Sequence, residues 1–341
     1  MVGTMGWKAW VFAVFFSLVG CSTSTQPAKH SNLIWPPVDA RAPAEVVWRG
    51  EVRSLRFGGI SRIVDAVAGA GKTAETRVLS SPIAVGVHRD RLFVLDVGRA
   101  TVSVSNLVGQ GARRFQLPKG FLPGAMAVAS NGDRVLLCDG STGRISAFST
   151  KGAHLDELVP AGVVGRCGGI AACRNGGFVV TDVVNGAVLR FDGAGNLEAR
   201  VGRPGTGPGE FNRPGAVQEA PDGDLWVVDT FNYRLQRLTP DLAPASWFGS
   251  LGDGSGHFAL PKGLAIDPDG HLYVADGRFD VIQLFDTDGT FLMAVGRPGR
   301  GPGEFWNLAG LGSDPYGNIV VADAGNRRIQ LLGYQERKKA E

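Results

Sequence analysis

The chain has 341 residues, enough for one large domain or two ordinary ones. Its 50 Gly follow no collagen period and stand beside many short apolar runs, the composition of an all-β fold rich in tight turns. A formal net charge of +3 leaves no electrostatic case for nucleic acid.

Lys8 precedes an apolar stretch from Ala9 to Val19. It is too short for a bilayer core of about 30 Å. It suits the hydrophobic part of a secretory signal peptide over residues 1–20. Leu18-Val19-Gly20-Cys21 follows and resembles the bacterial lipobox. That resemblance implies cleavage before Cys21, a diacylglyceryl group on its thiol and acylation of the new amino terminus. Several acyl chains hold a protein firmly on a membrane, where one binds marginally. Ser22 rather than Asp follows the Cys, which by the retention rule of enteric bacteria implies the outer membrane. Residues 21–44, rich in Ser, Thr, Pro and Ala, are expected to be a flexible tether. Trp35-Pro36-Pro37 interrupts this segment as a stiff stretch that can dock on the domain. Ala68-Gly-Ala-Gly-Lys72-Thr73 has Ala66 where a phosphate-binding loop needs its first Gly, and no helix is expected after it.

An internal repeat then organises the chain. Six short apolar runs end in Asp: Asp96, Asp139, Asp182, Asp229, Asp276 and Asp323, at intervals of 43, 43, 47, 47 and 47 residues. In the fifth unit, strands are expected at Lys262–Ile266, His271–Asp276, Val281–Phe285 and Thr290–Val295, joined by Asp/Gly turns. Four-stranded units of about 45 residues cannot bury both faces alone, so they stack radially as propeller blades. The expected fold is an all-β, six-bladed β-propeller of four-stranded antiparallel blades over residues 45–334, with a charged tail at 335–341. After Asp323 only Arg328–Leu332 fits as a strand, so the last blade lacks its outer strand. The β-like run from Glu45 to Phe57 is expected to supply it and close the ring, removing two exposed edges.

The unit from Pro261 to Asp276, with Val321-Ala-Asp-Ala-Gly-Asn-Arg-Arg-Ile-Gln330, resembles the NHL repeat. So does the lead-in Gly207-Pro-Gly-Glu-Phe-Asn-Arg-Pro214, which recurs at 301–305 and degenerates at 254–258. The whole resembles bacterial lipoproteins that carry such a propeller behind a lipobox. Propellers host unrelated activities, so the resemblance implies a fold more than a function.

The six repeat Asp are expected to be structural, each accepting hydrogen bonds from the turn that follows it. No two of the five His have metal-ligand spacing to one another. Amidating lyases among the propeller relatives place zinc-binding His just after the repeat's Pro. The matching positions here are Ile83, Gly124, Gly168, Gly215, Lys262 and Ala309. No metal or other cofactor is therefore expected, with a channel calcium of the gluconolactonase kind kept as the alternative. Cys138, Cys167 and Cys173 are expected as buried thiols, Cys167 and Cys173 lying too far apart along one strand to bridge.

Loops from each fourth strand to the next first strand share an end of the ring with the turns between second and third strands. That face is the candidate site for a protein or peptide partner: Arg203, Arg213, Tyr233, Lys262, Arg278, Arg297, Arg300, Trp306 and Arg327. Phe211, Phe258 and Phe305 recur at 47 residues and are expected to pack between blades. The functional expectation is a non-enzymatic, membrane-anchored envelope lipoprotein with a monomeric binding propeller and no nucleic-acid partner. The alternative is a metal-dependent lactonase-like hydrolase or lyase with its site in the channel.

Overall fold

The computed structural model describes residues 34–35, 44–53 and 79–336. The signal segment, Cys21, the lysine-bearing loop at 68–73 and the end of the tail lie outside these. Strand pairing follows the repeat. Blade one pairs Pro82–His88, Arg91–Asp96, Thr101–Asn106 and Arg113–Gln116 in sequence order, and blades two to five repeat this antiparallel meander. In blade five the strands are Pro261–Ile266, Leu272–Asp276, Val281–Phe285 and Phe291–Val295, within one residue of the sequence expectation at every end. Inner strands of neighbouring blades touch all the way round, including Leu308–Ser313 of blade six against Pro82–His88 of blade one.

Blade six is completed from the other end of the chain. Ala44–Val52 pairs antiparallel with Arg328–Glu336, in a register that runs from Ala44 opposite Glu336 to Val52 opposite Ile329. Side chains reinforce the join. Val46 and Val52 are buried, Trp48 donates its indole N–H to Gln330 at 2.9 Å, and Glu51 pairs with the buried Arg328 at 2.5 Å. Two boundaries differ from expectation. The last strand runs through Glu336 rather than stopping before a tail, because its outer half has a partner in Ala44–Val47. The segment expected to be a tether contains a fifth strand, Ile34–Trp35, on the outer edge of the blade. Trp35 packs on the cluster of Val46, Trp48 and Phe305.

Apolar clusters lie between successive blades, as where Cys138 and Ala147 of blade two meet Phe178 and Phe191 of blade three. The 47-residue spacing has a packing cause. Phe211, Phe258 and Phe305 are fully buried beneath the long lead-in loops. Each ring lies against the Gly that begins its loop, Gly202, Gly249 or Gly296. A Cβ there would meet the ring at 2.9, 2.6 and 2.2 Å respectively, and all three have positive φ. Each buried Phe contributes about 1.5–3 kcal/mol.

Candidate functional site

The repeat Asp residues organise the loop face without being available to a ligand. Asp229 accepts from the Asn212 amide at 2.7 Å, Asp276 from that of Ala259 at 2.7 Å, and Asp323 from that of Trp306 at 2.9 Å. Each carboxylate thus reaches back 17 residues to the lead-in. In blades four and six the Asp also accepts from a buried Arg and Gln two apart, Arg234 with Gln236 and Arg328 with Gln330. These Arg and Gln side chains in turn donate to carbonyls of the lead-in. Burial pushes the carboxyls of Asp139 and Asp182 up. Hydrogen bonds from Ser141 and from Gly165 and Asn185 outweigh it and hold both below the ordinary carboxylate range.

Several candidate partner residues turn out to have internal work. Arg203 pairs with Glu210 at 2.6 Å and Arg297 with Glu304 at 2.8 Å, stapling the start of each lead-in to its end. In the loop between them Ser250 and His257 replace the ion pair with a 2.8 Å hydrogen bond. Tyr233 and Arg327 sit four residues after the repeat Asp. That position is left-handed in every blade: Ala100, Gly143, Gly186, Tyr233, Asp280 and Arg327 have φ of 51, 70, 57, 55, 51 and 55°. The turn therefore fixes their backbones. Arg327 and Arg278 remain exposed.

Two pairs on this face are not explained by the loops. Arg213 lies over Phe231 with its guanidinium 5.0 Å from the ring, and Arg300 over Trp306 at 4.6 Å. Phe231 and Trp306 are 38% and 48% exposed. Such stacking orders the Arg side chain before any partner arrives.

Inside the ring, two joined cavities share Val85, Met126, Ile170 and Gln218. The one at the loop face has a volume of about 240 Å³, and Lys262 is the only charged residue in its wall. The other, about 440 Å³, opens at the opposite end, where His88, Arg174, Glu219, Asp267 and Asp314 stand at its rim. Burial, then Arg91 and Arg89, hold the His88 pKa below its usual value. Sequence reasoning did not find this wider end. Its residues sit in the turns after each first strand, and only the repeat register brings them together.

One group of possible metal ligands converges among the described residues: Asp267, Asp269 and His271. It sits in a single turn, which His–His spacing did not reveal. Asp267 already accepts from the backbone N–H groups of Asp269 and His271, and its other oxygen lies 2.9 Å from His271 Nδ1. The same turn is built with Asn at Asp192–Asn196 and Asp314–Asn318, so its hydrogen bonds belong to the turn. Cys138, Cys167 and Cys173 are free and buried. Burial raises the Cys173 thiol to about 12 and pushes Cys167 up strongly.

A family model described as a 6-bladed beta-propeller matches residues 265–335. Comparison with curated proteins gives no match. Among solved structures, a gluconolactonase from Xanthomonas campestris is 15% identical, covering 86% of this chain and 90% of that one at a TM-score of 0.59. A catalytically inactive virginiamycin B lyase from Staphylococcus aureus, solved with quinupristin, is 18% identical, covering 74% and 80% at 0.55. An auxiliary nutrient binding protein from Bacteroides thetaiotaomicron is 13% identical, covering 76% and 70% at 0.59. Likeness at these identities shows the six-bladed fold alone, on which enzymes and binding proteins both occur.

Proposed function

We propose that the protein is an exported lipoprotein, anchored through lipid on Cys21, whose loop face binds a protein or peptide partner in the cell envelope. One observation carries the binding role: the two exposed Arg–aromatic stacks, Arg213 on Phe231 and Arg300 on Trp306, on the face that blades four to six elaborate. Aromatic and Arg side chains dominate binding energy at protein interfaces. Here they are held in place and left uncovered. The lipobox-like Leu18-Val19-Gly20-Cys21 supports the anchor, and the Ser after it supports the outer membrane.

A photo-crosslinking residue at position 306, placed in the native envelope, is expected to trap a defined partner. Charge reversal at Arg213 and Arg300 together is expected to abolish that product. Retention of the product in the double variant would move the site elsewhere.

The second reading is a channel-centred hydrolase or lyase. It is favoured by the cavity of about 440 Å³ with His88, its pKa held below the usual value, at its rim. Metal analysis of the purified protein separates the two, since stoichiometric calcium or zinc would argue against the scaffold.

A further inference from the structure

The two ends of the ring differ in charge. Turns at the wide end carry Asp222, Asp224, Asp267, Asp269 and Asp314, with Glu219 beside them; Arg237 pairs with Asp222 and Asp224, and Arg89, Arg91 and Arg174 stand at the same end. The loop face carries Arg166, Arg213, Arg278, Arg300 and Arg327 around its mouth. Its carboxylates are engaged: Glu210 by Arg203, Glu304 by Arg297, and Asp280 by the Leu308 amide at 2.8 Å, Asp253 apart. Within the mouth, five of six equivalent wall positions are Ile83, Gly124, Gly168, Gly215 and Ala309. The sixth is Lys262. Its stem lies along Gly277, where a Cβ would come within 2.6 Å of Lys262 Cε. Lys262 has no hydrogen-bond or ion-pair partner among the described residues. Lys262 thus places a partly buried side chain, with the only charge in this wall, where an anionic group entering the mouth would meet it.

We propose that the loop face selects an acidic segment of its partner and seats one carboxylate against Lys262 inside the channel mouth. This rests on the loop-face binding reading above. The rim supplies long-range attraction and the stacked aromatics supply apolar contact. Lys262 supplies the one charge contact inside the mouth, and truncating it is expected to act on dissociation.

The test uses the full chain in detergent and three fluorescein-labelled decapeptides: one of Glu with a central Trp, one with Gln for every Glu, and one with Lys. Anisotropy titration is expected to show the Glu peptide binding at least about tenfold tighter than the Gln peptide, the scale of one charge-assisted hydrogen bond. Lys262→Met is expected to remove most of that difference, whereas Lys151→Met, at the wide end, leaves it. Equal binding of the Glu and Gln peptides overturns the selection for acid while leaving loop-face binding standing. A preference for Glu that survives Lys262→Met overturns the channel seat. Absence of binding by all three overturns both this inference and the peptide-binding reading. A single-stranded DNA that competes as well as the Glu peptide assigns the surface to phosphate and overturns it too.

Discussion

Among single residues, His271 shows how a small change in a repeated turn acquires a pH dependence. Asn196 and Asn318 hold the matching Asp in their turns through a neutral side-chain N–H at 2.7 Å. His271 does so through a group that titrates. Its hydrogen bond to Asp267 raises the imidazole pKa, against the opposing effect of burial. Because the folded value lies above the unfolded one, the stabilisation is complete below about pH 6.5 and is lost as pH rises through the folded pKa. His271→Asn is expected to keep the turn and flatten that slope. Urea midpoints between pH 5.5 and 8.5 test this, and a wild-type midpoint that falls no more than the variant's would contradict it. Asp139 and Asp182 act with the opposite sign. Their stabilisation is present above the ordinary carboxylate value of about 3.9 and disappears as pH falls through their lower folded values.

At the element scale, the lead-in loops are held by buried groups more than by the charges on their surface. Gln236 is almost fully buried, donates to the Glu210 carbonyl at 2.7 Å and accepts from the Gly209 amide at 3.0 Å. Gln236→Ala leaves the Gly209 amide without its partner and the Glu210 carbonyl with Arg234 alone, and is expected to cost about 2 kcal/mol in urea unfolding. Arg203→Ala, at a side chain 79% exposed, is expected to change the unfolding midpoint little. A reversed order of the two effects would show that the surface staple governs the loop. These elements also mark how far the sequence could be read. The strands were legible because apolar alternation and Asp/Gly turns recur at fixed intervals, and the buried Phe were legible for the same reason. The Arg203–Glu210 and Arg297–Glu304 ion pairs are not legible in this way. Seven residues separate each pair, and only the folded loop brings them together. The left-handed position of Tyr233 and Arg327 was equally hidden, since Ala, Gly, Tyr, Asp and Arg share it without a common side chain. The wide mouth needs residues from six turns at once, which no local pattern announces.

For the whole molecule, closure is the property on which the others depend. Six blades make a ring only if the last is completed, and the completing strand comes from nearly 280 residues away, as in the Glu51–Arg328 contact. Arg328 is fully buried and also donates to Asp323 at 2.7 Å and to two lead-in carbonyls. Glu51→Ala therefore removes one of two carboxylates from a buried guanidinium. Breaking a fully buried pair costs about 3–5 kcal/mol, and the remaining Asp323 and the partial exposure of Glu51 reduce the expected loss to about 2 kcal/mol. The unfolding transition should shift and stay sharp, because every strand is still present. Deletion of residues 44–52 is a different perturbation. It exposes the edge of Arg328–Glu336 and uncovers the Trp48 side of the blade-six core, leaving an open ring whose end can pair with another chain. The deletion is expected to broaden thermal unfolding and produce concentration-dependent association, read by calorimetry and light scattering. A monomeric deletion variant with an unchanged, sharp transition would mean that blade six holds the ring shut with three strands. Glu51→Ala would then also have to be nearly silent. The two variants together separate the contribution of the buried ion pair from that of the strand that carries it.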